Sequence, residues 1–318
     1  MSGKNVLVIA GPTASGKTAL SLRLAKERNG EIVSADSMQI YRGMDIGTAK
    51  ATPAEQAEVP HHMLDILEPG ENYSVSRYVR DAAAVCEDLF RRNRQPIVVG
   101  GTGLYIDALI AGQSFAEKPE GERGLREALS EDYDRLGAEA MLNRLRTVDP
   151  ERAAKLAPSD RRRIIRALEV YQATGKTISE HDRESRLRKP AYDSLYVVLD
   201  FADRSALYDR IEQRADRMCR DGLFEETARL LEKDIPEEST CMQAIGYRQA
   251  ALYLKGELDR EEAVALIRQA TRRYAKRQMT WFRRHREALF LQPDRMTAEE
   301  MTDAVMRAFE GGRNDDGE

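Results

Sequence analysis

The stretch Gly11-Pro12-Thr13-Ala14-Ser15-Gly16-Lys17-Thr18 fits the pattern Gly-x-x-x-x-Gly-Lys-[Ser/Thr], between an apolar run at 6–10 and a segment of helical periodicity from Thr18. This order constrains the fold more than any other feature. Two glycines let the backbone turn so that its N–H groups close around phosphate oxygens, and the following helix adds its N-terminal dipole. Lys17 supplies a cation, and the Thr18 hydroxyl is placed for Mg²⁺. Such a loop works only between a strand and a helix, so the chain is predicted to start as an α/β unit. The loop does not name its phosphate compound, because nucleotide- and ATP-binding kinases, motors and other transferases share it.

Further apolar, β-branched runs at 31–35, 96–99 and 195–199 read as buried parallel strands. Helical patterns lie between them, with Leu20, Leu22 and Leu24 in one and Val79, Ala82, Ala83, Cys86, Leu89 and Phe90 in another. This alternation predicts a P-loop NTPase-like parallel sheet flanked by helices. After Phe115 the strand signal stops. Pro119 and Gly121 mark a boundary, and helix starts are legible at Asp149-Pro150-Glu151 and at Pro158-Ser159-Asp160, with Gly175 as a stop. We therefore expect a catalytic core of 1–117 and 191–318 and an inserted all-helical domain of 118–190. A long amphipathic helix is expected from Glu261 to about Arg286, and an acidic, frayed tail from Gly311.

The 318 residues carry a net charge of −4, which by itself speaks against a nucleic-acid partner. The charge is unevenly spread: residues 294–318 hold eight acids and three bases, leaving +1 for the rest. Residues 268–286 contain Arg268, Arg272, Arg273, Lys276, Arg277, Arg283, Arg284 and Arg286 without an acid, together with Tyr274, Trp281 and Phe282. A second basic group, Arg161, Arg162, Arg163 and Arg166, falls in the helical insert. Two basic surfaces suggest a clamp on a polyanion. Trp281 is expected to pack in the core. No apolar run is long enough for a bilayer helix and no signal pattern leads the chain, so a cytoplasmic protein without a membrane partner is expected. Cys86, Cys219 and Cys241 stand far apart and read as buried thiols, and His61 and His62 lack the companions of a metal site.

The second strand delivers Asp36, Ser37, Met38 and Gln39 to the carboxyl edge of the sheet, where open α/β sheets assemble their sites. Asp36 is a candidate general base, or alternatively a cap or turn residue, while Ser37 and Gln39 can hydrogen-bond a base edge. Asp200 follows the strand at 195–199, where capping the next helix is favoured over organising a metal. Arg210, Arg214 and Arg217, spaced by four and three, share one helical face and could grip phosphate oxygens.

GPTASGKT at 11–18, DSMQIYRGMDIGTAK at 36–50, PHHMLDI at 60–66, YSVSRY at 73–78, VVGGTGLYI at 98–106, RRIIRALEVYQATGKTIS at 162–179, RIEQRADRM at 210–218 and AIGYRQ at 244–249 follow one another in a familiar order. Over nearly its whole length the chain resembles the bacterial tRNA dimethylallyltransferases, or tRNA isopentenyltransferases. The resemblance implies transfer of a dimethylallyl group from dimethylallyl diphosphate to N6 of the adenosine 3′-adjacent to the anticodon, with Mg²⁺ and release of diphosphate. It implies Asp36 as the base, Thr13, Lys17 and Arg214 on the diphosphate, and Ser37, Met38 and Gln39 around the adenine. Contacts to the tRNA anticodon stem-loop are implied for Thr102, Arg123, Arg162, Arg163, Ile164, Ile165, Arg166, Gln243, Ala244, Ile245, Gly246, Tyr247 and Arg248. A related enzyme of free adenine nucleotides would not need the basic insert, and a kinase would turn over ATP. Some members append a C-terminal zinc finger; with no Cys or His in the tail, no zinc is expected. A monomer is the default, since no self-complementary apolar stripe stands out.

Overall fold

The computed structural model describes residues 4–113, 123–187, 189–233 and 235–311, and the expected acidic tail lies largely outside them. The chain forms two compact units, residues 1–110 with 191–318 and residues 111–190. In the first, β1 (Asn5–Ala10), α1 (Lys17–Glu27), β2 (Gly30–Ser34), α2 (Pro53–Glu58), β3 (His61–His62), α3 (Val75–Arg91), β4 (Gln95–Gly100) and α4 (Gly103–Ala111) follow in order. The second holds α5 (Arg123–Leu136), α6 (Ala138–Val148), α7 (Pro150–Ala153), α8 (Arg161–Thr174) and α9 (Ile178–Leu187). The chain then returns through β5 (Asp193–Leu199), α10 (Arg204–Arg220), α11 (Leu223–Leu231), α12 (Tyr247–Leu254), α13 (Arg260–Phe282), β6 (Leu289–Leu291) and α14 (Ala298–Gly311).

The six strands pair in the order β3-β2-β4-β1-β5-β6, and every pairing is parallel. Parallel strands carry helices on both faces, which explains the unbroken apolar runs. Alternate residues of β1 serve the two layers. Val6 and Val8 pack with Tyr78, Leu89, Ile106 and Phe282 on one face, whereas Leu7 and Ile9 pack with Leu20, Leu24, Val305 and Phe309 on the other. Strands β3 and β6 escaped the sequence reading because two and three residues are too few to show a period. All three cysteines are buried and unpaired.

The helical unit has its own core of Leu129, Met141, Leu142, Leu145, Ile164, Ile165 and Leu168. Its punctuation follows the sequence signals: Asp149 accepts from the Arg152 N–H at 3.0 Å with Pro150 in the first turn, and Gly175 closes α8 at φ 70°. No described helix is long and apolar enough to cross a membrane.

A buried carboxylate ties the amino end of the sheet together. Glu31 on β2, with its side chain 5% exposed, accepts from both Arg92 Nη atoms at 2.6 and 3.0 Å and meets His62 Nε2 at 2.7 Å. The hydrogen bonds from Arg92, aided by His62, hold its pKa down at about 2 despite burial. A depressed carboxylate pKa stabilises the fold above the ordinary value near 4.5, and that contribution is lost as pH falls towards 2. Glu31→Gln should therefore cost about 1.5–3 kcal/mol at neutral pH, the range for hydrogen bonds to a charged group. Urea unfolding between pH 2 and 5 checks this: the wild-type midpoint should fall more steeply than that of the variant, and parallel slopes would reject the role given to Glu31.

Candidate active site at the carboxyl end of the sheet

A cavity of about 830 Å³ opens in the first unit where β1, β2 and β4 end. Its walls come from the phosphate loop, the segment Asp36 to Gln39, the loop Gly47 to Ala49, α10, the segment Gln243 to Gly246, and α13. In the phosphate loop Gly11 has φ 149° and lies so close to β5 that a Cβ there would sit 2.8 Å from the Leu199 carbonyl oxygen. Gly16 adopts φ 96° to start α1. The bend and the close approach thus account for the two glycines of the motif.

Lys17 Nζ donates to the carbonyl oxygens of Gly11 at 3.1 Å and Pro12 at 2.6 Å. Burial pushes its pKa down to about 7; Arg214 beside it adds to this, and Asp36 opposes it. Burial also lowers the pKa of Arg214, whose Nη2 donates to the Thr48 carbonyl at 3.4 Å. Arg210, Arg214 and Arg217 all line the cavity, as their shared helical face predicts. Thr18 is exposed to the cavity, and the buried Ser15 hydroxyl has no hydrogen-bond partner. This wall is a cationic, donor-rich surface suited to a polyphosphate.

Asp36 lines the same cavity, and its Oδ1 also accepts from the Met38 N–H at 2.9 Å, so the turn and the site use one carboxylate. Gln39 is held by Ser34 Oγ, which donates to its Oε1 at 2.9 Å, and by the carbonyls of Thr48 and Ala49, to which its Nε2 donates at 3.3 Å. Thr102 is off the cavity wall; its Oγ1 accepts from the Ser37 N–H at 3.2 Å. The loop Asp45 to Gly47 is pinned from behind. The buried Glu226 carboxylate accepts from the N–H groups of Asp45, Ile46 and Gly47 at 3.0–3.2 Å, and from the Tyr247 hydroxyl at 2.5 Å.

Gln243, Ala244, Ile245 and Gly246 reach the cavity, Tyr247 is wholly buried, and Arg248 is exposed. In the helical unit Arg162 and Arg163 are exposed on α8, while the side chains of Ile164 and Ile165 fill that unit's core. The Arg123 side chain lies outside the described residues. Asp200 does not cap the following helix, a task taken by Asp203, which accepts from the Ser205 N–H at 2.8 Å. Instead it receives Arg283 at 3.0 and 3.1 Å. The cationic stripe on α13 is also thinner than its sequence, since Arg268 and Arg272 pair with Asp216 and Glu212 of α10 at 2.5 Å. Trp281 packs against Gly103 and donates to Asp107 at 2.8 Å, as expected of a core-facing indole. Sequence reasoning named Tyr274 only as an aromatic within the basic stripe and missed Gln278 on the cavity wall, although Ile267, Thr271, Tyr274 and Gln278 recur at spacings of four, three and four.

The IPP transferase family model matches residues 39–285, and the isopentenyl transferase model matches residues 4–65. A tRNA dimethylallyltransferase of Thermoanaerobacter sp. strain X514 is 48% identical over 279 residues, covering 87% of this chain and 88% of that one. One from Caldanaerobacter subterraneus subsp. tengcongensis is 45% identical over 308 residues, covering 96% and 98%. Among solved structures, the tRNA isopentenylpyrophosphate transferase of Bacillus halodurans superposes with a TM-score of 0.72 at 37% identity, covering 97% of this chain and 96% of that one. A eukaryotic dimethylallyltransferase acting on tRNA superposes with a TM-score of 0.83 at 29% identity, covering 97% and 80%. Likeness of this extent, in sequence and in sheet, shows that the chain belongs to the IPP transferase family of tRNA dimethylallyltransferases.

Proposed function

We propose that the chain transfers the dimethylallyl group of dimethylallyl diphosphate to N6 of the adenosine 3′-adjacent to the anticodon of tRNA. The observation that carries this reading is the meeting, in one cavity, of a cationic phosphate cradle and the carboxylate of Asp36. In the reaction the bond between C1 of the prenyl group and the diphosphate oxygen breaks, and its electron pair leaves with diphosphate. N6 attacks C1 and gives its proton to Asp36. Lys17, Arg214 and the loop N–H groups hold the charge that builds on the leaving oxygens, which is where electrostatic stabilisation lowers the barrier most. Thr13 and the rest of 11–18 orient the donor, and Ser37, Met38 and Gln39 form the edge that meets the adenine. The adenine must leave its stack to enter a cavity of this kind.

Mg²⁺ takes only one or two protein oxygens when it bridges phosphates and water. Among the described residues no cluster of three His, Cys, Asp or Glu could hold a metal, so an all-protein cage is not available, but the exposed Thr18 hydroxyl beside the phosphate cradle fits a phosphate-borne Mg²⁺. Bound there, it would neutralise charge on the departing diphosphate. On the tRNA side we assign contacts to Gln243 to Gly246 and Arg248 in the first unit and to Arg162, Arg163 and Arg166 in the second, with Thr102 bracing Ser37 and the buried Tyr247 holding Glu226 from behind. The reading has the chain act as a cytoplasmic monomer. Prenylation of AMP alone would replace it with an enzyme of free nucleotides, and ATP turnover without prenyl transfer would replace it with a kinase or motor.

With labelled dimethylallyl diphosphate and Mg²⁺, label should enter unmodified tRNA and not AMP. Asp36→Ala should lower kcat about 10²- to 10⁴-fold, the usual yield of a positioned base, with tRNA affinity unchanged; near-normal turnover would refute the role of Asp36. Arg214→Ala should raise the KM for dimethylallyl diphosphate about 10- to 100-fold, as loss of a charged hydrogen bond implies. A change confined to tRNA affinity would remove Arg214 from the donor site. Replacing Arg162 and Arg163 together by Ala should flatten the dependence of log Kd for tRNA on log salt by about one to two, and an unchanged slope would take α8 out of the footprint.

A further inference from the structure

Gln278 stands on α13, far in sequence from any motif of the site, and is 5% exposed. Its Oε1 accepts from the Thr13 N–H of the phosphate loop at 2.9 Å, and its Nε2 donates to the Gly101 carbonyl at 2.9 Å. One carboxamide therefore joins the phosphate loop to the loop that follows β4. The second loop is itself braced against the segment bearing Asp36: the Thr102 N–H donates to the Ala35 carbonyl at 3.1 Å, and Thr102 Oγ1 accepts from the Ser37 N–H at 3.2 Å. Gly101 leaves room for the arrangement, since a Cβ there would overlap Gln278 Nε2.

We infer that Gln278 is a positioning residue for the transfer reaction: its amide sets the phosphate loop in register with the Asp36 segment, so that donor and base face each other. This inference rests on the proposed prenyl transfer for its consequence, but the strap itself is a property of the unliganded protein. The chemistry is selective. The site asks for an acceptor towards Thr13 and a donor towards Gly101, two roles that one carboxamide fills at once and that an ionised carboxylate or a thioether does not. Because the Thr13 N–H is already engaged, the remaining loop amides, Lys17 and Arg214 are left to hold diphosphate. The loop shape is set before the anion arrives, and a loop already in place costs less to bind against than one that must be ordered. Arg273, Lys276 and Arg277 on the same helix are exposed, so a tRNA contact by α13 is the rival role that a test must separate.

Three single variants of the full chain, Gln278→Met, Gln278→Glu and Gly101→Ala, and the double variant Gly101→Ala/Gln278→Met are compared with wild type for kcat, the KM for dimethylallyl diphosphate, tRNA Kd, Tm and amide hydrogen exchange of Thr13. Gln278→Met should speed Thr13 exchange about tenfold or more, since its acceptor is gone. It should also lower kcat about 10- to 100-fold, as misplacement of reacting groups does, with tRNA Kd within about twofold of wild type. Gln278→Glu should keep Thr13 exchange slow yet still lower kcat, because a carboxylate facing the Gly101 carbonyl cannot hold the second loop. Gly101→Ala should displace the amide, and adding Gln278→Met to it should cause little further loss, the non-additivity expected of two groups in one contact. Unchanged Thr13 exchange in Gln278→Met overturns the strap. Lowered Tm with normal kcat would make the residue a packing element, and weakened tRNA binding with normal kcat would make it a tRNA contact; either overturns positioning. Should wild type fail to prenylate tRNA, the proposed function falls, while the exchange measurement still decides the strap.

Discussion

Lys17 and Arg214 share a cavity in which Lys17 donates to backbone carbonyls of Gly11 and Pro12 and Arg214 to that of Thr48. Holding two cations partly out of water with so little anionic relief is unfavourable, which is why burial drags both pKa values down. The surrounding structure serves to keep them there. The phosphate loop bends back on β5, α10 brings Arg214 in on a face shared with Arg210 and Arg217, and Glu226 grips three consecutive N–H groups so that the loop carrying Thr48 stays put. Asp36 is the nearby carboxylate whose charge favours both cations, and it is also tied to the backbone at Met38. An anion placed against this wall would relieve that electrostatic strain.

The tertiary structure also sorts the arginines. By sequence, residues 268–286 read as one cationic stripe, yet Arg268 and Arg272 are neutralised by Asp216 and Glu212, and Arg283 by Asp200. These pairs join α13 to α10 and to the end of β5, so they act within the scaffold. Arg161 is likewise bound to Asp134 and Ser130, leaving Arg162 and Arg163 exposed on α8. Partner acids 27 to 83 residues away in sequence decide which of these cations are ion-paired, and no local pattern encodes that choice.

Much of the architecture was nonetheless legible, for reasons that differ from element to element. Strand β1 and the loop after it announce themselves because an unbroken apolar run, glycine spacing and a helix start coincide within about 20 residues. The helical unit was readable from Asp149-Pro150 and Gly175, whose punctuating roles rest on a side-chain cap three residues long and on local backbone angles. Strands β3 and β6 were not, because pairing with β2 and β5, not propensity, makes them strands. Within the site, Asp36 and the phosphate loop lie in contiguous motifs, whereas Gln278 and Glu226 act across 177 to 265 residues and 179 to 181 residues, through single side chains in ordinary amphipathic helices.

By itself the sequence determined a parallel α/β core with a phosphate loop, a helical insertion, and a carboxylate, Asp36, just past the second strand at the sheet's carboxyl edge. Those features follow from local backbone geometry and from hydrophobic period, both of which are written in consecutive residues. Only the tertiary structure decided which basic residues of α13 are held by acids on other elements, that Asp200 serves an ion pair and not a helix cap, and that one amide from α13 spans two loops of the cavity. Each of these depends on the distance between atoms remote in sequence, and such distances exist only once the chain has closed on itself.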